Sequence, residues 1–446
     1  MAAQETLINL SKISGLEIDT KEFAAYLDAQ DKLASYRSKF LIPKKCKVVD
    51  STDFVEDPEE ECLYLCSNSL GLQPVRTREL INQELDVWAN RGVLGHTSHP
   101  IDRPWVSIDD NVVPFMAEVV GAKPLEVAVM ATLTTNLHIL LTAFYTPTET
   151  RFKILIEDKA FPSDHYAVES QIRIKGYDPE SALLVVKPRN GEHIFRLEDI
   201  LEEILIALIL LPGIQYYSGQ VFDMKTITQV GHEAGCVVGF DLAHAVGNIL
   251  LELHDWDVDF ACWCSYKYLS SGPGNIGGLF VHEKISNNQD FTRLTGWWAH
   301  RLETRFHMSN VMELSPGAQG FQHSNPSVTN CIALLGSLEI YHEAGMAEFR
   351  KKSLLLTGYL EYLILNNDTL KEKIKIMTPS QPESRGCQLS LLIDENFEEV
   401  FAYLCDNGVI CDERRPNCIR VGPYPFVNTF TEMVMFIEYL VEAIQA

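Results

Sequence analysis

Two charged residues close stretches that are otherwise almost wholly apolar. Asp241 follows CVVGF in CVVGFDLAHAVG (236–247), and Lys267 follows FACWCSY in DFACWCSYKYL (259–269). Neither charge is one that a buried position would choose for stability, and a buried lysine without a partner should lose its proton or form a covalent adduct. In an open α/β sheet, ligands sit at the carboxyl ends of the strands. A lysine at one strand end and an aspartate at a neighbouring one suit pyridoxal phosphate. The amine condenses with the cofactor aldehyde, and the carboxylate keeps the pyridine nitrogen protonated so that the ring draws off electrons. A structural ion pair, or two loop residues lying past their strands, is the competing interpretation.

Two further features bear on that choice. A cofactor phosphate in an acidic chain needs a local cup of donors, which a helix N-terminus provides. The Leu133-Thr134 turn of LTTNLHILLTAFY (133–145) opens such a helix, although an ordinary N-cap is the commoner use of threonine. Phe161, in the FPSD segment with Asp164, follows a strand directly and could stack on a planar ring. On its own it would pass for a core phenylalanine.

These residues need a scaffold, and the hydrophobic pattern supplies one. Apolar runs at 152–157, 182–188, 206–211, 236–247, 259–269 and 277–284 predict strands. Helical spacing at 80–90, 133–145, 196–204 and 224–235 predicts helices around and between them. Short apolar strands alternating with helices indicate an α/β fold, with a mostly parallel sheet between helices. Beyond about residue 330 the pattern changes to helices at 331–342, 350–365 and 397–407, a strand at 386–393 and a final helix. We expect a large domain over 71–328 and a smaller α+β C-terminal domain over 329–446. The N-terminal segment, 1–70, could pack with the small domain.

Composition excludes several classes. The 446 residues carry 37 Lys and Arg against 61 Asp and Glu, a formal charge of −24, which disfavours nucleic acid and anionic membranes. The longest apolar run, 204–211, is far too short to cross a bilayer. The N-terminus lacks the basic and apolar pattern of a signal peptide. Eleven scattered cysteines read as reduced cytosolic thiols. Cys262 and Cys264 have no second pair at a zinc-like spacing, and His96 and His99 have no carboxylate partner at suitable spacing, so no metal site is expected. GPGNIGG (272–278) follows the lysine instead of opening a βαβ unit, which argues against a dinucleotide site.

Taken together, SNSLGLQP (67–74), LTTNLH (133–138), KAFPSDHYAVESQ (159–171), GFDLAHAVGN (239–248), HDWDVDFACWCSYKYL (254–269), SNP (324–326), LTGYLEYLI (356–364) and RGCQL (385–389) resemble the kynureninase family, its eukaryotic members in particular. That family belongs to the aspartate-aminotransferase-like pyridoxal-phosphate enzymes. The resemblance implies hydrolytic β,γ-cleavage of L-kynurenine or 3-hydroxy-L-kynurenine to L-alanine and the matching anthranilate. It also implies a place in tryptophan catabolism and NAD biosynthesis, a cytoplasmic location and a homodimer. Lys267 would carry the cofactor and shuttle the α-proton, Asp241 would pair with the ring nitrogen, and Tyr217 would be the acid or base. Leu133, Thr134, Phe161, Pro162, Ser163, Asp164, Pro212, His244 and Tyr266 would surround the cofactor. Trp297 and Asn325 would reach its phosphate region from the second subunit. Arg420 would clamp the substrate α-carboxylate, with Ser69, His96 and Ser324 on the substrate side.

Two departures from the family fall close together. The helix over 196–204 runs into the strand at 206 without the short charged linker that relatives carry. Pro212 stands where relatives usually have serine, and it removes a hydroxyl and a backbone donor. An aminotransferase or cysteine-desulfurase-like lyase on the same fold, or a catalytically weakened homologue, are the alternatives that these features leave open.

Overall fold

The computed structural model describes residues 2–49, 57–200 and 206–446. The expected helix-to-strand junction at 203–206 therefore lies almost wholly outside the described residues. The chain divides into two compact units. One comprises Arg76–Gln215 and Phe222–His342. The other comprises the chain up to Val75, Tyr216–Val221 and Glu343–Ala446.

The first unit is built on a seven-stranded sheet of β1 (Val127–Val129), β2 (Lys153–Glu157), β3 (Leu183–Val186), β4 (Ile206–Pro212), β5 (Val237–Asp241), β6 (Phe260–Cys264) and β7 (Gly277–Val281). Their spatial order is β1-β7-β6-β5-β4-β2-β3. The pairs from β3 through β2, β4 and β5 to β6 are parallel, and only β7 runs against its neighbours. This is the mostly parallel α/β sheet that the apolar runs predict. Strands β1, β6 and β7 are buried throughout, as sheets covered on both faces require. Helices Leu133–Phe144 and Pro162–Ile174 supply one cover, with Leu137, Leu140 and Val168 packed on Ile154, Leu208, Phe260 and Leu279. Strand β1 has only three residues, too short for a pattern to announce it.

Two strands end earlier than their apolar stretches. After Asp241, Leu242 N still donates to Cys262 O at 2.8 Å, but the chain then turns on itself through Ala245 N and Leu242 O at 2.9 Å. After Cys264, the Ser265 hydroxyl bonds the Ser271 hydroxyl at 2.6 Å and the carbonyl of Ile276. The serine thus substitutes a side-chain bond for the ladder. Lys267 consequently sits in the turn beyond β6, where Ser270 N closes on its carbonyl at 2.9 Å.

The second unit has an antiparallel sheet of β8 (Ile374–Ile376), β9 (Leu389–Ile393), β10 (Asp412–Arg414) and β11 (Cys418–Val421), ordered β8-β9-β11-β10. Its core draws Leu356, Tyr359 and Leu360 from helix Met346–Asn366 and Met433, Phe436 and Leu440 from helix Phe430–Gln445. The N-terminal helices Ala2–Ser14 and Lys21–Asp28 add Leu7, Phe23 and Leu27. Asp28 fastens them by accepting from Phe430 N at 2.6 Å and Thr431 N at 3.0 Å, a carboxylate placed on a helix N-terminus. Early residues and C-terminal residues therefore share one α+β core.

At Gly239 on β5, a Cβ would lie 2.1 Å from the Phe260 ring. Gly239→Ala forces a fully buried ring to move, and the expected loss is about 1–3 kcal/mol in urea unfolding.

Candidate active site

The carboxyl ends of β2, β5 and β6 bring a set of polar residues together. Asp241 ends β5 opposite Cys262 of β6 and Pro212 of β4. Its Oδ1 accepts from Ala243 N at 2.7 Å. Gly213 N donates to the Asp241 carbonyl at 2.8 Å, so this ladder bond does not depend on the nitrogen of Pro212. Phe161 is the N-cap of helix Pro162–Ile174, with proline at its first position, a favoured place for that residue. This start carries Asp164 inward to a hydrogen bond with Asp241, and Ser163 Oγ donates to Asp164 Oδ1 at 3.2 Å. The Phe161 ring remains half exposed, and Lys267 Nζ lies 6.0 Å from its centroid and 6.0 Å from that of Tyr266.

The electrostatics follow from burial. Two carboxyl groups in hydrogen-bond contact in the interior cannot both ionise cheaply. Burial pushes Asp164 well above the ordinary carboxyl range, and Asp241 and Glu157 push it further. Burial also raises Asp241, opposed by its bond to Asp164, the Ala243 N–H and the charge of Lys267. Glu157, the last residue of β2, is pushed up to about 8 by burial. Sequence reasoning missed Glu157, although a charge closing an apolar strand is the signal that picked out Asp241. The group is short of positive charge, and a ligand with a ring N–H facing Asp241 would supply it.

The start of helix Leu133–Phe144 carries backbone donors that the helix itself does not use. The first intrahelical bond runs from Asn136 N to Thr132 O at 2.9 Å, so the N–H groups of Leu133, Thr134 and Thr135 precede it. Gly277 lets the backbone approach them, because a Cβ there would lie 2.6 Å from Trp263 O and 3.2 Å from Leu133 N. Thus the Lys267 amine, the half-exposed Phe161 ring, the Asp164–Asp241 carboxyl pair and the backbone donors at Leu133 and Thr134 occupy one unit. His244 is buried in the same unit. Trp297 is half exposed, with its indole N–H on Arg305 O at 3.2 Å. Asn325 is partly exposed, Ser324 and His96 are exposed, and Asn325 Oδ1 is buried without a hydrogen-bond partner among the described residues.

Ser69, Tyr217 and Arg420 belong to the other unit. Arg420 is buried on β11, with Nη1 donating to Tyr216 O at 2.7 Å and Nη2 to Asp412 Oδ2 at 2.6 Å. Its Nε has no partner among the described residues. Two of five guanidinium hydrogens are used, which leaves three for a ligand. Ser390 Oγ donates to Tyr217 O at 2.5 Å, and Gln388 Nε2 to Tyr216 O at 3.0 Å. Burial raises the Tyr217 phenol. Ser69 is half-buried in the turn after Cys66. Asp412 and Gln388 were not anticipated from the sequence.

Glu126, His254 and His282 place three possible metal-ligand atoms within 4.8 Å. Glu126 and His282 Nδ1 already accept hydrogen bonds. Glu126 accepts from Lys123 N at 3.0 Å, Glu283 N at 2.9 Å and His254 Nδ1 at 2.9 Å, and His282 Nδ1 accepts from Lys284 N at 3.2 Å. The group reads as a buried cap, not as a metal centre.

The family model described as the kynureninase C-terminal domain matches residues 349–440. A kynureninase of Monosiga brevicollis is 48% identical, covering 98% of this chain and 99% of its own length. The Homo sapiens kynureninase is 47% identical, covering 94% of this chain and 91% of its own length. Among solved structures, C-DES with glycine covalently linked to its PLP cofactor superposes with a TM-score of 0.72 at 16% identity, covering 85% of this chain and 96% of that one. The cysteine desulfurase CsdA of Escherichia coli gives 0.70 at 15% identity, covering 93% and 98%. Among the described residues no helix is long and apolar enough to cross a membrane.

Glu157 predicts a measurable linkage. Between its ordinary value of 4.5 and about 8, the folded chain holds a proton that the unfolded chain has lost. Stability therefore falls as pH rises across that window. Differential scanning of the ligand-free protein should show the decline, and Glu157→Gln should flatten it by a few degrees of Tm.

Proposed function

The chain belongs to the kynureninase family, and on that premise we propose that it hydrolyses L-kynurenine to anthranilate and L-alanine, and 3-hydroxy-L-kynurenine to 3-hydroxyanthranilate and L-alanine, with pyridoxal phosphate as cofactor. The observation that carries this reading is Lys267 Nζ beside the half-exposed Phe161 ring, in the unit that also holds the buried Asp164–Asp241 pair.

When bound, pyridoxal phosphate supplies an aldehyde for amine condensation and a protonated ring that spreads the negative charge developed at the substrate Cα. Lys267 would offer the amine that holds the cofactor and would take the substrate Cα proton. Asp241 holds the proton on the ring nitrogen, and Asp164 orients Asp241 through their hydrogen bond. Phe161 would stack on the ring, and His244 and Tyr266 would line its surroundings. The backbone donors of Leu133 and Thr134 take the phosphate, with Pro162, Ser163 and Pro212 shaping the rim. Arg420 binds the substrate α-carboxylate with the hydrogens that Tyr216 O and Asp412 leave over, and Asp412 fixes the guanidinium plane. Ser69, His96 and Ser324 contact the substrate. Water adds to the side-chain carbonyl carbon, the Cβ–Cγ bond breaks, and Tyr217 moves the proton that this addition requires.

We further assign a homodimer, with Trp297 and Asn325 completing the neighbouring subunit's phosphate site. Leu294, Trp297, Phe306, Met308, Val311 and Met312 are all exposed within one short stretch, and exposed apolar residues that cluster suit a protein interface. The reaction belongs to tryptophan catabolism and NAD biosynthesis. None of the eleven cysteines is joined in a disulfide, which supports a reducing, cytoplasmic setting.

Fluorescence-detected anthranilate formation tests the activity. Lys267→Ala should lower turnover roughly 10³-fold or more, and unchanged turnover in that variant would sink the mechanism. Arg420→Lys loses the planar fork and should raise KM roughly tenfold or more. Mixed Lys267→Ala and Asn325→Ala subunits should recover activity that neither variant shows alone, whereas absence of recovery would refute the shared site.

A further inference from the structure

Helix Val75–Arg91 buries Thr77, Leu80, Glu84 and Val87, a stripe at helical spacing. Glu84 occupies a core position of that stripe with its side chain 2% exposed. A buried carboxylate is costly there, and an apolar side chain of similar size would usually serve stability as well or better. What Glu84 does instead is gather the loop that follows.

Glu84 Oε2 accepts from His99 Nε2 at 3.0 Å and from Trp105 Nε1 at 2.9 Å. Glu84 Oε1 lies 2.8 Å from Arg103 Nη2, which also donates to Gln83 Oε1 at 2.9 Å. The histidine tautomer follows from its other nitrogen. His99 Nδ1 accepts from Arg103 N at 3.3 Å and Ile101 N at 3.4 Å, so Nε2 carries the hydrogen given to Glu84. One carboxylate thereby holds two side chains of the segment 96–105 through hydrogen bonds to Oε2, and a third, Arg103, through the ion pair at Oε1, which has no hydrogen-bond partner among the described residues. Trp105 passes the constraint on. A Cβ on Gly95 would lie 2.6 Å from the Trp105 ring, so the backbone there rests on the indole. The next residue, His96, stands edge-on to the same ring, with centroids 5.4 Å apart at 88°.

We propose that Glu84 is a positioning residue for substrate recognition, acting through His99, Arg103 and Trp105 to hold His96 in the orientation that contacts the kynurenine. The inference rests on the reading that His96 touches the substrate. Glu84 needs no contact with substrate or cofactor. Its carboxylate fixes the indole plane, the indole fixes the imidazole, and the His99 bond keeps the loop from swinging off the helix. Loss of this hold lets His96 sample other orientations, which weakens substrate capture more than the subsequent bond cleavage.

A double-mutant cycle on the holoenzyme decides the matter. Glu84→Gln keeps the size of the side chain but removes the charge. It should raise KM for L-kynurenine roughly fivefold to tenfold, leave kcat within about twofold, and lose that effect when His96 is already alanine. The absorbance of the bound cofactor should not change. If His96→Ala leaves KM unaltered, the substrate-contact reading fails and the inference falls with it. If His96→Ala raises KM but the Glu84→Gln effect is absent or simply additive, that reading stands and the positioning role is refuted. Should Glu84→Gln not fold, His99→Gln in the same cycle gives the same two outcomes.

Discussion

The buried Asp164–Asp241 contact constrains everything around it. Two carboxyls on different elements meet only if the strand ending at Asp241 and the helix starting at Phe161 stop at the right places. Pro162 at the first helical position and the turn after Leu242 secure those stops. With Glu157 behind them, the pair gathers acid groups that the interior can hold only by keeping protons or by meeting a cation. The ligand-free fold takes the first course. A protonated heterocycle facing Asp241 would make the second available, so that stability and ligand binding would draw on the same carboxyl group.

Much of this was legible in the sequence, and for a physical reason. Strands β2 and β4 to β7 are buried on both faces, so their apolar runs stand out, and a charge closing such a run is conspicuous. Asp241 and Lys267 were found in that way, and Glu157 at the end of KILIE carries the same mark. The unread features lack it. Asp412 lies in DER of β10, whose composition reads as a solvated edge, yet two arginines enclose it. Its pairing with Arg420 depends on the antiparallel register of β10 with β11, which a local pattern does not encode. Glu84 was hidden in another way. On a helix rich in Glu and Arg, nothing in composition says which carboxylate faces inward.

The ends of strands were the other point of difference. Apolar content predicted that the strand in 236–247 would close at Asp241, as it does, and that the strand in 259–269 would run on to Lys267, whereas it stops at Cys264. Local hydrogen bonds ended them, through the Leu242–Ala245 turn in one case and the Ser265 hydroxyl in the other. Hydrophobicity records what is buried, but the competition between side-chain and ladder bonds decides where extension stops. Pro212 illustrates the same distinction. By residue type it disfavours a central strand, but at the last position of β4 the ladder's next donor is Gly213, and the bond to Asp241 survives.

Glu84, Asp412 and the Asp164–Asp241 pair share a logic. Each places carboxyl oxygens at a position where an apolar residue would be the ordinary choice, and each meets hydrogen-bond partners drawn from separate segments. A buried charge so enclosed adds little net stability, but it narrows the geometries that its partners can adopt, because every alternative leaves a desolvated group unpaired. An apolar core tolerates small slips of a ring or a guanidinium. A hydrogen-bonded carboxylate does not, since its partners lie along fixed directions. Where a substrate must be held to fractions of an ångström, that intolerance is useful, and it accounts for charges that stability alone would not retain.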